Sequence, residues 1–222
     1  MAHPTQGYKN AAGKRVPGVT TIIGRFKESG ALLWWAFDQG KAAERGEIGN
    51  LYDKRDEAAE SGTLAHSMVE AHIRNEPQPT GEGISESTFK EALNAYEAYR
   101  QWESMTKLEI VEQEIQMVSE KYQFGGCPDA IGTIDGKLSL VDWKTSKSVY
   151  VDFMVQVAAY AILWEENHPD RPITGGYHLC RFSKTGGDFS HHYWADLEDA
   201  KRQFLLFREA YSLDKALKKR VG

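Results

Sequence analysis

The sequence predicts an α/β fold of the α+β kind, in which a mixed sheet is flanked by helices and preceded by a helical N-terminal part. Two observations support this prediction. Apolar residues recur mainly at helical spacing up to Glu103, and polar and apolar residues alternate from Leu108 onward, as in half-buried strands. After that change the predicted order is strand, hairpin, helix, hairpin and helix, which suits one sheet covered by helices.

Three helices are predicted in the N-terminal part. They are expected over Ala31 to Arg45, Leu51 to Asn75 and Ser85 to Glu103, with a break in the second helix near Ser61-Gly62. The residues before them are punctuated by glycine and proline and show little periodicity. Within that stretch, Val19 to Phe26 is expected to form a strand or a turn.

Strands dominate the prediction after residue 105. They are expected at Leu108 to Ser119, within a hairpin at 122–144, at Tyr177 to Ser183 and at Phe189 to Trp194. Helices are expected over Val151 to Asn167 and Asp196 to Lys219, the last with Phe204, Leu205, Phe207 and Tyr211 on its apolar side. We therefore divide the chain into a helical part (1–105) and a core (106–222), which are expected to form one compact domain.

Composition and charge limit the class of protein. Of 222 residues, 41% are hydrophobic and 27% charged, which is typical of a globular protein and argues against disorder. The net charge of −5 excludes a protein that coats nucleic acid through bulk charge, but basic clusters at 14–27 and 215–220 leave local phosphate contacts open. No apolar run approaches the roughly 20 residues that span a bilayer.

The number of cysteines limits the metal chemistry. Cys127 and Cys180 are the only two, so the chain cannot form a disulfide framework or a site with four cysteine ligands for zinc or an iron–sulfur cluster. We expect an intracellular, reduced protein without a cysteine-bound metal.

The Ile-Asp-Gly-Lys stretch at 134–137 predicts a tight hairpin turn, because Asp-Gly between two strands is the strongest short-range hairpin signal. If the turn has two residues, its flanking residues pair, and the same register places Asp129 opposite Asp142. Directly opposed residues have Cβ atoms roughly 5 Å apart, close enough for two carboxylates to share one cation. Lys144 lies two residues beyond Asp142 and therefore points to the same face.

This predicted arrangement of charges would destabilise the fold if it had no functional role. Two carboxylates at that distance repel unless one takes up a proton or a cation bridges them. The alternative interpretation is that Asp142 and Lys144 are solvated positions on an edge strand and that Asp129 is a turn residue.

Other polar residues are predicted near the same place. His66 and Glu70 are spaced i,i+4 on one helical face and could both reach a cation, or could simply hydrogen-bond to each other on a helix surface. Glu114 would lie beside Asp129 if its strand pairs with the hairpin. Gln156 and Tyr160, also i,i+4, lie on the helix that follows the hairpin, where they could face the site or only pack against the sheet.

Four ordered motifs within 62–160 resemble the PD-(D/E)xK nuclease superfamily, and specifically its RecB-type exonuclease branch. The motifs are Gly62-Thr63-x-x-His66-x-x-x-Glu70, Gly126-x-Pro128-Asp129, Asp142-x-Lys144-Thr145-Ser146 and Gln156-x-x-x-Tyr160. The opening stretch at 16–22, with Trp34-Trp35-Ala36, is similar to the start of phage and mitochondrial single-strand DNA exonucleases of this branch.

The resemblance implies a restriction-endonuclease-like core and a role for each matching residue. Asp129 and Asp142 would hold Mg²⁺ or Mn²⁺, with His66 and the Trp143 backbone carbonyl as further ligands. Lys144 would act on the attacking water and on the charge of the transition state. Gln156 and Tyr160 would position the strand or the water. Glu70, which belongs to the first motif, and Glu114, from the pairing of its strand, are additional candidate ligands.

The resemblance also implies a function. The protein would be a metal-dependent DNA exonuclease that hydrolyses phosphodiester bonds from DNA ends, with single-stranded ends preferred, in phage or mobile-element recombination or replication. Two alternatives stay open: an endonuclease on the same fold, and a catalytically inactive nucleic-acid-binding module. A phage-encoded protein of this kind would work in the cytoplasm of a bacterial host, away from membranes, and a recombination or replication protein as partner is left open.

Overall fold

The computed structural model describes residues 7–27, 30–47 and 53–221. Its helices are α1 (Val19–Phe26), α2 (Gly30–Glu44), α3 (Asp53–Ile73), α4 (Glu86–Thr106), α5 (Val151–Asn167) and α6 (Glu198–Val221). The first five strands are β1 (Tyr8–Lys9), β2 (Arg15–Val16), β3 (Glu109–Gln113), β4 (Met117–Ser119) and β5 (Phe124–Gly126). The remaining strands are β6 (Ala130–Ile134), β7 (Lys137–Lys144), β8 (Tyr177–Phe182) and β9 (Phe189–Trp194).

A five-stranded mixed sheet forms the centre, in the order β3-β6-β7-β8-β9. All neighbours are antiparallel except β7 and β8, which are parallel. A parallel pair needs a crossover connection, and α5 supplies it. The predicted mixed sheet flanked by helices is thereby confirmed.

The hairpin between β6 and β7 has the predicted two-residue turn. Ile134 pairs with Lys137, and Ala130 pairs with Val141. Asp135 has a φ of 52° and Gly136 a φ of 74°, as a type I′ turn requires at both central positions. The turn therefore fixes which residues of the two strands face each other.

Each face of the sheet packs against a different part of the chain, because successive strand residues point to opposite sides. Ile131 and Leu140 face α5 and α6, in a core that also contains α1. Ala130, Val141 and Trp143 face α3 and α4 in a second core. Helices α3 and α4 of the N-terminal part thus cover one face of the sheet, whereas α1 packs on the other. The division of the chain at residue 105 stays a prediction.

The prediction of a strand or turn at Val19 to Phe26 is wrong, since these residues form α1. The run of Val, Thr and Ile residues favours a strand when local preference alone is considered. However, Val19, Ile22 and Ile23 are buried together, at the i, i+3 and i+4 spacing of an amphipathic helix. Burial in the core overrides the weaker local preference.

Two predicted boundaries also differ from the structure. Helix α3 continues through Ser61-Gly62 without the expected break, held there by packing against α4. The strand expected over Leu108 to Ser119 is divided into β3 and β4, because Glu114 adopts a left-handed conformation with a φ of 49°. After it, β4 leaves the main sheet and pairs with β5.

The remaining predicted elements are confirmed to within a few residues. They are α2, α4, α5, β8, β9 and α6, and the predicted apolar side of α6 packs into the core, with Phe204 completely buried. The predicted start of the second helix at Leu51 lies outside the described residues. Within the described ranges, no helix combines the length and the hydrophobicity that crossing a membrane would need.

Candidate active site

Two carboxylates meet at the open end of the β6–β7 hairpin. Asp129 immediately precedes β6, and Asp142 lies near the end of β7. The hairpin register, continued by one residue, places them opposite each other. Asp129 Oδ2 accepts a hydrogen bond of 2.8 Å from the Trp143 backbone N–H, which fixes its carboxylate beside the β7 backbone.

The backbone at Trp143 is held in place from the other face of the sheet. The Trp143 ring lies 5.5 Å from that of Tyr99 and 6.3 Å from that of Trp102, both on α4. Buried aromatic side chains of this size dominate core energetics. The N-terminal helices therefore help to position the strand that carries Asp142.

Burial and mutual repulsion set the protonation of the two acids. Asp142 is 1% exposed, and this burial, reinforced by the charge of Asp129, raises the pKa of Asp142 to about 7 against the opposing effect of Lys144. Burial also disfavours ionisation of Asp129, but the neighbouring His66 and Lys144 outweigh it and lower the pKa of Asp129. The pair therefore has one carboxylate that is readily charged and one that is poised between its two forms.

Lys144 supplies the positive charge of the site. It is the last residue of β7, and its ammonium forms an ion pair with Asp142 Oδ2. The lysine side chain is only 16% exposed, and its Nζ lies 5.3 Å from the centre of the Phe153 ring. Its position is therefore restricted by contacts on two sides.

Helix α3 brings His66 to the acids. His66 Nδ1 lies 3.5 Å from Asp129 Oδ1. Glu70, one turn further along, is not among the residues that line the cavity and instead forms an ion pair with Arg74. Arg74 Nη2 also lies 4.0 Å from Glu114 Oε2.

Gly62 allows α3 to approach the end of β7 closely. A Cβ at this position would lie 2.9 Å from Thr145 Oγ1, shorter than an ordinary van der Waals contact. Gly62, which suggested a helix break, therefore lies within an uninterrupted helix, where its missing side chain permits close contact with Thr145. It precedes His66 by one turn.

Glu114 lies beside Asp129, as expected from the pairing of its strand with the hairpin. Its backbone N–H donates a hydrogen bond of 3.1 Å to the Asp129 carbonyl. The left-handed conformation at Glu114 ends β3 at this point, and the residue lines the same cavity as the two aspartates.

Gln156 and Tyr160 close the site from α5. Gln156 Nε2 donates a hydrogen bond of 2.8 Å to the Tyr160 hydroxyl oxygen. Burial, together with the charge of Asp142, raises the pKa of Tyr160 well above its usual value. Tyr160 is therefore a neutral phenol that can donate its own hydrogen into the cavity.

These groups surround a cavity of about 520 Å³. Nearly all the predicted site residues line it: His66, Glu114, Asp129, Asp142, Lys144, Gln156 and Tyr160. Its other walls are formed by Thr20, Ala58, Ala59, Cys127, Thr145, Ser146 and Lys184. The structure thus collects residues from α1, α3, the hairpin and α5 around one volume.

The donor set suits a divalent cation with oxygen ligands. Asp142 is buried and Asp129 nearly so, and the pKa of Asp142 is raised in part by the charge of Asp129. A shared cation would stabilise both carboxylates. In the described part of the chain, no three His, Cys, Asp or Glu side chains already form a metal-binding group, since Asp142 pairs with Lys144 and Asp129 with His66.

The Trp143 carbonyl lies on the correct side of β7 to join such a site. In a sheet, the N–H and C=O of one residue point to the same neighbouring strand. The Trp143 N–H points to Asp129, so its carbonyl oxygen is directed past the end of β6, toward the same side as that carboxylate.

Sequence reasoning missed two polar lining residues, Thr20 and Lys184. Thr20 was expected in a strand or turn, and Lys184 lies in the hairpin that joins β8 to β9. Thr20 lies in the opening stretch at 16–22, for which the resemblance implies no site role, and Lys184 belongs to none of the four motifs. Each reaches the cavity only because the fold brings a distant part of the chain beside β7.

Comparison with known proteins agrees with the motifs. The sequence model of the PD-(D/E)XK nuclease superfamily matches residues 41–219. No curated protein matches the sequence significantly.

Solved structures that the comparison finds share little sequence with the chain. A protein from Eubacterium rectale named as a candidate exonuclease has 13% identity and a TM-score of 0.44, with 68% of each chain covered. An alkaline exonuclease from Laribacter hongkongensis has 14% identity and a TM-score of 0.33, with 55% of this chain and 69% of that chain covered.

Replacement of Gly62 by alanine tests the close approach of α3. In a helix interior this change normally stabilises by roughly 1 kcal/mol, but here the new methyl group would collide with Thr145. We expect Gly62→Ala to lower the melting temperature, while Gly40→Ala, a control in α2 with nothing within 4 Å of its added Cβ, should not. Thermal unfolding followed by circular dichroism measures both, and equal stabilisation of the two variants would contradict the contact.

Proposed function

We propose that this chain, which belongs to the PD-(D/E)XK nuclease superfamily, is a metal-dependent deoxyribonuclease of the RecB-type branch that degrades DNA from its ends. The observation that carries the proposal is the convergence of Asp129, Asp142 and Lys144 with His66 around one cavity. The resemblance of its motifs favours a role in phage or mobile-element recombination or replication.

Asp129, Asp142, His66 and the Trp143 carbonyl would hold the metal, with Glu114 beside them. A bound Mg²⁺ or Mn²⁺ would supply Lewis acidity toward a phosphate oxygen and lower the pKa of a bound water. Oxygen ligands suit either ion, whereas the imidazole of His66 favours Mn²⁺ over Mg²⁺.

Lys144 would stabilise the negative charge that grows on the phosphate as the water attacks. Its ammonium lies against Asp142, so it would be held next to the scissile phosphate. A fixed positive charge in a site shielded from water stabilises such a transition state more strongly than an exposed one. Tyr160, held by Gln156, would donate a hydrogen bond to a phosphate oxygen or orient the water.

The position of α3 over the cavity favours a DNA substrate that enters as a single strand from its free end. Ala58, Ala59 and His66, all on α3, line the cavity opposite the hairpin. A DNA duplex would have to displace this helix to dock from the side, whereas a single strand could be threaded beneath it. Trp34 on α2 is 71% exposed and Trp35 is 36% exposed, and stacking on a free base is worth about 1–3 kcal/mol.

Loss of the metal ligands should abolish cleavage without unfolding the protein. We expect Asp129→Asn and Asp142→Asn to lose both activity and Mn²⁺ binding, since the amide keeps the shape but removes the charge, and His66→Ala to bind Mn²⁺ more weakly. Calorimetric titration with Mn²⁺ and a DNA cleavage assay measure these effects. Asp135→Asn, at the tip of the same hairpin, is the matched control and should retain both properties; wild-type behaviour of Asp142→Asn would exclude it from the site.

Removal of the Lys144 charge should affect chemistry more than binding. We expect Lys144→Ala to lower kcat by orders of magnitude, with little change in DNA affinity or metal affinity, because its charge serves the transition state. Steady-state kinetics on a labelled oligonucleotide separate kcat from KM. If DNA binding were lost while kcat at saturation stayed normal, Lys144 would instead be a phosphate-binding residue of the ground state.

Dependence on DNA ends separates an exonuclease from an endonuclease. We expect linear single-stranded DNA to be degraded in the presence of Mg²⁺, and a covalently closed circle of the same sequence to persist. Gel analysis of the two substrates side by side, with EDTA as the control, makes the comparison. Rapid cutting of the circle would overturn the exonuclease proposal and favour an endonuclease on the same fold, while no cleavage of either DNA would favour an inactive binding module.

A further inference from the structure

A second cavity of about 1160 Å³ adjoins the acid-lined cavity. Ala58, Thr145, Ser146 and Lys184 line both of them. These four residues therefore lie at the boundary between the two cavities, which we call the passage. The passage begins directly after Lys144, the residue proposed to act on the scissile phosphate.

The passage offers the donors that a phosphate group needs. Thr145 and Ser146 provide hydroxyl groups, and Lys184 provides an ammonium with three N–H donors, two of which are used within the protein. A Cβ at Gly62 would lie 2.9 Å from Thr145 Oγ1 and 3.5 Å from Lys184 Nζ, so this hydroxyl and this ammonium approach the same point beside α3.

Lys184 is oriented by contacts that leave its charge largely uncompensated. Its Nζ donates to the Ala58 carbonyl at 2.5 Å and to Ser61 Oγ at 3.0 Å, and Ser61 Oγ in turn donates to Glu91 Oε2 at 3.0 Å. The two groups that Lys184 contacts directly are neutral. Burial accordingly lowers the pKa of Lys184, against the weaker opposite effect of Glu91, and a bound anion would relieve this cost.

The second cavity has the character of a path for a nucleic-acid strand. Arg55, Lys147 and Arg181 line it as cations and Trp35 contributes an aromatic ring, beside three acidic residues, Glu57, Glu91 and Asp188. Arg181 forms an ion pair with Asp188, whereas Lys147 and Lys184 lie on the side that adjoins the acid-lined cavity. Cationic and aromatic groups along one groove are the features with which proteins hold single-stranded DNA without sequence preference.

We infer that Lys184 is a positioning residue that binds a phosphate next to the scissile one, in a single DNA strand that passes from the second cavity into the acid-lined cavity. This inference rests on the proposed nuclease function. Lys144 and Lys184 then act on two phosphates of the same strand, the first in the chemical step and the second in holding the strand in register.

The alternative is that Lys184 serves only as a link between the β8–β9 hairpin and α3. Three variants separate the two roles. Lys184→Met removes the charge and keeps much of the length, Lys184→Arg keeps the charge, and Ser61→Ala removes a partner of the link while leaving the ammonium in place. Melting temperatures show whether each protein is folded and by how much the link stabilises it.

The test measures binding of a fluorescein-labelled single-stranded oligonucleotide in EDTA over a range of salt concentrations, and cleavage in Mg²⁺. Loss of one phosphate contact should reduce the slope of log K against log salt by roughly 0.7 in Lys184→Met. We expect this variant to bind about 10-fold more weakly and to show a raised KM, while Lys184→Arg and Ser61→Ala keep the wild-type slope.

An unchanged slope in Lys184→Met, or the same loss in Ser61→Ala, would overturn the inference and leave Lys184 as a structural link. If wild-type protein cleaves DNA and the variants do not differ from it, only the Lys184 inference fails. If wild-type protein neither binds nor cleaves DNA, the proposed function fails, and the role of Lys184 fails with it.

Discussion

The burial of two opposed carboxylates at the end of one hairpin is the constraint on which the rest of the site depends. Removing such charges from water costs free energy, and this cost is offset only where hydrogen bonds and positive charges surround them. The Trp143 N–H, Lys144 and His66 provide these groups from three directions. Burial and the charge of Asp129 nevertheless raise the pKa of Asp142 to about 7, so these groups do not fully offset the cost of ionising both acids.

This constraint explains why the sheet needs helices on both faces. Helix α5 packs against the face that carries Asp142 and adds Gln156 and Tyr160 to the cavity. Helices α3 and α4 pack against the opposite face, where Trp143 is buried among aromatic rings. Helix α3 also passes the end of β7. The same helix that packs against the Trp143 face therefore places His66 beside Asp129 in the cavity.

The hairpin could be predicted because its determinants are local. An Asp-Gly pair in a type I′ turn fixes the register over the adjoining residues, and from that register follow the opposition of Asp129 and Asp142 and the direction of Lys144. The conformation of α1 could not be predicted in the same way. Its β-branched residues favour a strand locally, and only the core that receives them selects the helix.

The sequence by itself determined most of the helices, the hairpin at 122–144, the acidic pair with its lysine and the four spaced motifs, because each depends on residues close together in the chain. The tertiary structure decided which distant residues complete the site. It joined Glu114 to Asp129 through strand pairing, placed Gly62 against Thr145 and brought Lys184 between two cavities. The physical reason is that these contacts arise from packing between elements, and packing geometry is not encoded in any one segment.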